Sequence, residues 1–113
     1  MQCRATTRQV GNVAIVDLIG GITIAGGSGL LRQTIKDLLA AGHKNVVVNL
    51  RELTYLDSAG MGELVGACSS VRNLGGDLRL AHPQERIRNL LHMTKLVAVF
   101  GIFGDEESAL RSF

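Results

Sequence analysis

The segment Leu56-Asp57-Ser58-Ala59-Gly60-Met61-Gly62 sets a hydroxyl beside a carboxylate among residues too small to screen either group. Such a serine could serve as a nucleophile, a helix cap or an acceptor of a phosphoryl group. A hydrolase elbow needs Gly-x-Ser-x-Gly, whereas Leu56 stands two residues before Ser58, and no histidine lies in a context that suggests a base. From Met61 onward the spacing turns helical: Met61, Leu64, Val65, Cys68 and Val71 recur at i, i+3, i+4, i+7 and i+10. Asp57 and Ser58 therefore sit at the mouth of a predicted helix that ends near Leu74-Gly75-Gly76. There an oxygen-bearing side chain can accept from free backbone amides, the common reason for serine at such a position. The same amides and the helix dipole can accommodate a phosphate, which would add about −1.5 to −2 charges on Ser58. Glycine at 60 and 62 costs a helix roughly 1 kcal/mol each relative to alanine, so a gain from close approach is expected to offset it.

Other candidate chemistry is weaker. The stretch Gly20-Gly21-Ile22-Thr23-Ile24-Ala25-Gly26-Gly27-Ser28-Gly29 lacks Gly-Lys-Ser/Thr and fits no dinucleotide fingerprint, so it reads as a tight connector. His43, His82 and His92 are scattered, with no i, i+4 pair and no neighbouring cysteine, which argues against a metal site. Cys3 and Cys68 match no ligand spacing and read as two reduced thiols, Cys68 in the core. On the helix after Ser58, the small residues Gly62, Gly66, Ser69 and Asn73 share one stripe. That stripe is either a flat docking track beside the serine or a surface for close packing against another helix.

The elements that must position this segment follow from hydrophobic periodicity. Residues 3–9 and 12–19 form a strand pair turned at Val10-Gly11-Asn12, where glycine and asparagine supply positive φ. Val13 to Ile19 is apolar on both sides, as a strand buried on two faces would be. Leu31, Ile35, Leu38 and Leu39 predict an amphipathic helix over 28–41 with Gly42 as its C-terminal cap. Asn45-Val46-Val47-Val48-Asn49-Leu50 is a central strand, followed by a polar turn at Arg51-Glu52. Asp77 to Ala81 makes another strand, and Pro83 opens a helix with an apolar stripe of Ile87, Leu90, Leu91 and Met93. Val97-Ala98-Val99-Phe100 predicts a last strand, and Asp105-Glu106-Glu107 places three acids on the first turn of a final helix. The order ββαβαβαβα calls for an α/β fold with a mixed sheet of four or five strands, its first strand at the edge and its helices mainly on one side.

One unit over 1–113 is expected, since 113 residues hold one core and there is no linker or internal repeat. Twelve Lys and Arg against 10 Asp and Glu give a net charge of +2, which sets no field for a polyanion, so no nucleic acid is expected as partner. The N-terminal residues contain no apolar signal core, and no run of about 18 apolar residues occurs, so a soluble, cytoplasmic chain with no membrane partner is expected.

Val46-Val47-Val48-Asn49-Leu50, Thr54-Tyr55-Leu56-Asp57-Ser58-Ala59-Gly60-Met61-Gly62 and Gly75-Gly76-Asp77-Leu78-Arg79-Leu80 resemble a STAS domain of the anti-sigma factor antagonist family. The resemblance runs from about Val10 to Phe113, and its middle segment is similar to the family's Asp-Ser-Ser/Ala-Gly-Leu-Gly phosphorylation motif. It implies a STAS fold and a partner-switching protein that is no enzyme and carries no cofactor. Ser58 would be the phosphoacceptor, modified by an anti-sigma factor that is also a serine kinase and reset by a serine phosphatase. Asp57, Ser58, Ala59, Gly60, Met61, Gly62, Gly66 and Thr23 would form the partner surface of a monomer or weak dimer. Two departures stand out. Where the family often has Gly-Glu-Leu-Asp, this chain reads Gly20-Gly21-Ile22-Thr23, and Met61 replaces the usual leucine. The resemblance also extends to STAS subunits of larger signalling assemblies of the stressosome kind and of lipid-transport assemblies.

Overall fold

A computed structural model describes residues 3–22, 29–95 and 101–113. Strands β1 (Cys3–Val10), β2 (Val13–Ile22), β3 (Asn45–Leu56), β4 (Asp77–Ala81) and β5 (Gly101–Phe103) form one sheet in that order. The first pair is antiparallel and the rest are parallel, so β1 lies at the edge. Helices α1 (Leu30–Ala40), α2 (Ser58–Asn73), α3 (Glu85–Met93) and α4 (Glu106–Arg111) complete the order. Both the α/β class and the mixed sheet agree with the sequence. Thr23 of the expected partner surface and the expected strand Val97–Phe100 lie outside the described residues; the strand that closes the sheet is Gly101–Phe103.

Alternation along β2 and β3 divides the core in two. Val16, Leu18, Val46 and Val48 face α1, α2 and α3, whose Leu31, Ile35, Leu64, Val71, Ile87 and Leu91 are buried against them. Ile15 and Val47 face the other way and are covered by Ala109 of α4. Three helices thus share one face and one holds the other. Both of the longer crossover helices stop alike: Gly42 and Gly75 adopt φ of +93° and +84°, and their N–H groups donate to Leu39 and Arg72, while His43 and Gly76 donate to Leu38 and Val71. This is the Schellman stop that glycine favours.

Strand β3 is longer than its β-branched run. Arg51 and Glu52 do not turn; the strand continues to Leu56 and meets β2 with register shifts between Asp17 and Ile19 and between Gly20 and Gly21. Each shift sets an extra β3 residue against β2, as β-bulges do. Consequently Leu50, Leu53 and Leu56, three apart, are all buried. Asn49 Oδ1 accepts from the Arg51 N–H and Thr54 Oγ1 donates to the Gly20 carbonyl, which satisfies groups the irregular ladder leaves over.

Three smaller expectations are corrected. Only Gly11 in the Gly11–Asn12 turn has positive φ, the pattern of a II′ hairpin, so Asn12 is not left-handed. Pro83 precedes α3 rather than opening it, because the chain reverses at His82 (φ 57°) and Gln84, still extended, is the N-cap. Met93 is exposed: at 100° per residue it lies about 120° from Ile87, off the stripe that buries Ile87 and Leu91.

On the α4 face, Arg8 of β1 pairs with Asp17 of β2 at 2.7 Å and also with Glu106 of α4. Asn49 of β3 donates to the same Asp17 carboxylate at 2.9 Å. One guanidinium therefore ties the edge strand and the last helix to the sheet, and it holds the Asp17 carboxyl below the usual carboxylate range. A folded-state value below the unfolded one gives stability that is present above about pH 4 and lost as pH falls through the lower value. We expect Arg8→Ala to lose about 1 kcal/mol in urea unfolding at pH 7, with a difference from wild type that shrinks below about pH 4. A difference independent of pH would contradict the Asp17 assignment.

Candidate functional site

At the carboxyl ends of the parallel strands, β3 runs into α2 through a single residue, Asp57. Its extended backbone (φ −102°, ψ −175°) makes it the N-cap, and its carboxylate Oδ1 accepts from the Gly60 N–H at 2.9 Å. Its own N–H donates to the Ile22 carbonyl at 3.4 Å, and its carbonyl accepts from Met61 at 2.9 Å. The cap that the sequence allowed on either residue is thus assigned to Asp57. Ser58 is the first helical residue, exposed, and among the described residues its hydroxyl makes no hydrogen bond. Apart from Asp57, no acid stands on the first turn, so the Asp57 carboxylate alone offsets the positive end of the 16-residue helix dipole beside Ser58.

The remaining expected residues separate into two groups. Gly60 and Met61 are buried beneath the helix mouth, and Ala59 is half-buried. A Cβ at Gly60 would lie 2.3 Å from the Ile22 carbonyl oxygen and 2.6 Å from Leu56 Cδ1, so only glycine admits this approach of α2 to the end of β2. Gly62 and Gly66 are exposed, and a Cβ on either would meet nothing within 4 Å. With Ser69 and Asn73 they form an open, solvent-facing track; of the two readings of the stripe, close helix packing is not what the described residues show. Cys68 is buried and Cys3 half-buried, both are free thiols, and burial pushes each thiol up from its ordinary value.

Sequence reasoning misses Glu63. It is the buried charged side chain among the described residues, set in a helix turn between the apolar Met61, Leu64 and Val65 and the glycines at 62 and 66. The available signal was angular: Glu63 falls between Gly66 and the buried Ala67 on the helix wheel, at the margin of the apolar face.

With this geometry in place, the family profile of the STAS domain matches residues 4–109. The chain belongs to the STAS domain family. It is similar to the anti-sigma-B factor antagonist of Bacillus subtilis (strain 168), 27% identical over 111 residues that cover 98% of this chain and 100% of that protein. Among solved structures, an anti-sigma factor antagonist from Mycobacterium paratuberculosis superposes with a TM-score of 0.86 at 20% identity, covering 97% of this chain and 92% of that one. The Bacillus cell fate determinant SpoIIAA in its phosphorylated form superposes with a TM-score of 0.72 at 19% identity, covering 96% and 98%. These likenesses to solved structures establish the fold. Among the described residues, no helix is long and apolar enough to cross a membrane.

The division of the glycines is testable. Gly60→Ala should lose about 1–3 kcal/mol through overpacking against Ile22, whereas Gly62→Ala and Gly66→Ala should each gain up to about 1 kcal/mol of helix stability. Urea unfolding at pH 7 measures all three, and a stable Gly60→Ala would refute the close approach.

Proposed function

We propose that the chain is a cytoplasmic anti-sigma factor antagonist, a single domain over 1–113 that acts as a phosphorylation-controlled binding switch. The observation that carries this reading is the exposed Ser58 at the first position of α2, with the capping duty taken by Asp57. The unmodified form captures an anti-sigma factor that is also a serine kinase. In the transfer, Ser58 Oγ forms the new bond to the γ-phosphorus of a nucleotide held by that partner. The bond to the leaving diphosphate breaks, and the hydroxyl proton passes to a base of the kinase. A serine phosphatase reverses the modification.

Release follows from charge. A phosphate brings about −1.5 to −2 charges into a contact built around a neutral hydroxyl, next to the Asp57 carboxylate. Desolvating that charge inside an interface and opposing it to Asp57 weakens the complex, and a hundredfold change requires only about 2.7 kcal/mol. In this reading Ser58, Ala59, Gly62 and Gly66 meet the partner, Asp57 orients the acceptor, and Gly60 and Met61 hold the helix mouth from below. Thr23 is assigned to the same contact through the family resemblance alone.

The test is a pull-down with wild type, Ser58→Ala and Ser58→Glu, joined to intact-mass measurement after incubation with the retained kinase and ATP. Wild type should gain one phosphate and Ser58→Ala none; Ser58→Glu should bind the kinase at least a hundredfold more weakly. Phosphate uptake by Ser58→Ala, or binding by Ser58→Glu equal to wild type, would overturn the reading.

A further inference from the structure

Between α1 and α2 lies a groove of about 170 Å³, with Arg32 and Lys36 on one rim, Gly66 and Ser70 on the other and Glu63 lining it. The Glu63 side chain is only 9% exposed. Its Oε2 lies 3.4 Å from an Arg32 nitrogen, longer than a good charge-assisted hydrogen bond, and Arg32 itself is 72% exposed. Its Oε1 is buried and, among the described residues, has no hydrogen-bond partner. Buried carboxylate oxygens in folded proteins are nearly always satisfied, and an apolar residue of the same volume is often as stable or more so. A group kept at such a cost is the kind of local inconsistency that marks a binding site. What the oxygen lacks is a donor, and the charge it carries is best met by a cation.

The surroundings say how that cation arrives. Gly66 puts no side chain over the groove, and a Cβ there would meet nothing within 4 Å. At 100° per residue, Gly62 and Gly66 lie between Ser58 and Glu63 around the helix, and Glu63 is about 7.5 Å further along the axis than Ser58. The open track is therefore continuous from the acceptor hydroxyl to the groove. The half-buried Leu39 and the buried Ile35 and Ala67 supply an apolar lining able to hold the methylene stem of a long basic side chain.

We propose that the α1–α2 groove is a docking site for the anti-sigma factor, and that Glu63 receives an arginine or lysine side chain which that partner passes over Gly66. The inference rests on the antagonist reading for the partner's identity and extends it to a specificity contact independent of the serine. Glu63 then discriminates partners by whether they carry a cation at that point, in the unphosphorylated and phosphorylated forms alike.

The experiment is a titration of the purified anti-sigma factor kinase into wild type, Ser58→Glu, Glu63→Gln, Glu63→Met and Gly66→Leu, with a melting curve for each. Glu63→Gln and Glu63→Met should bind at least tenfold more weakly, and Gly66→Leu should do the same by filling the groove. Glu63→Met should melt no lower than wild type, because the unsatisfied Oε1 is gone and the lost pair with the exposed Arg32 is weak. Wild-type binding by both Glu63 variants while Ser58→Glu is released would overturn the groove and leave the switch standing. Weakened Glu63 variants beside an unaffected Ser58→Glu would support the groove and remove the switch. A Glu63→Met that melts more than about 5 °C lower, which corresponds to about 1 kcal/mol in a chain of this size, would make Glu63 a structural residue and overturn the proposal.

Discussion

A Cβ on Gly60 would stand 2.3 Å from the Ile22 carbonyl oxygen, and the same oxygen accepts from the Asp57 N–H. The last residue of β2 and the first turn of α2 are thereby fixed to one another, and the arrangement of the Ser58 region follows from that contact. Because α2 is seated against Ile22, Asp57 must leave β3 in an extended conformation, which aims its carboxylate back at the Gly60 N–H. Once Asp57 holds that amide, the Ser58 hydroxyl has no capping role and points to solvent. Nothing in this chain of contacts uses the hydroxyl, so modifying it changes charge at the surface without removing a contact that holds the fold.

Behind the helix mouth the sheet supplies rigidity in proportion to its burial. The central strands β2, β3 and β4 are covered by three helices on one face and by α4 on the other. The second cover is small, and polar contacts supplement it. Arg8 reaches Glu106, while Arg79 donates to Ser112 Oγ at 2.9 Å and lies 4.7 Å from the centroid of the Phe113 ring. Such half-exposed pairs are individually weak. Their use here is geometric, because each joins the short terminal helix, or the residues just after it, to a strand that the apolar contacts of Ala109 alone would secure poorly.

Much of this was legible in residue spacing. Regular elements such as α1 and β4 stand where the pattern puts them, because one apolar face decides them, whereas β2, apolar on both sides, runs past Ile19 to Ile22 through residues that read as connector. Leu50, Leu53 and Leu56 defeat the pattern: two bulges change the strand's period, and a spacing of three looks like a turn to any rule that expects alternation. The choice between Asp57 and Ser58 as cap was likewise unreadable, since both accept hydrogen bonds and only the seat of α2 on Ile22 settles which is extended. Gly60 and Gly62 look equivalent in sequence and are opposite in space, one pressed against backbone and one open. Glu63 escaped notice because its burial depends on how closely α1 lies beside α2, a distance that no single-helix pattern encodes.

The central claim is that phosphate on Ser58 alters a surface and leaves the fold intact. It is tested most directly by amide proton–nitrogen NMR spectra of the chain before and after phosphorylation. Shifts confined to Asp57–Gly62 and the neighbouring Ile22, with Val46–Val48 and Leu78–Leu80 unmoved, are the predicted result. Shifts spread through those buried strands, or a loss of dispersion, would show that the modification works by remodelling the domain and would contradict the account.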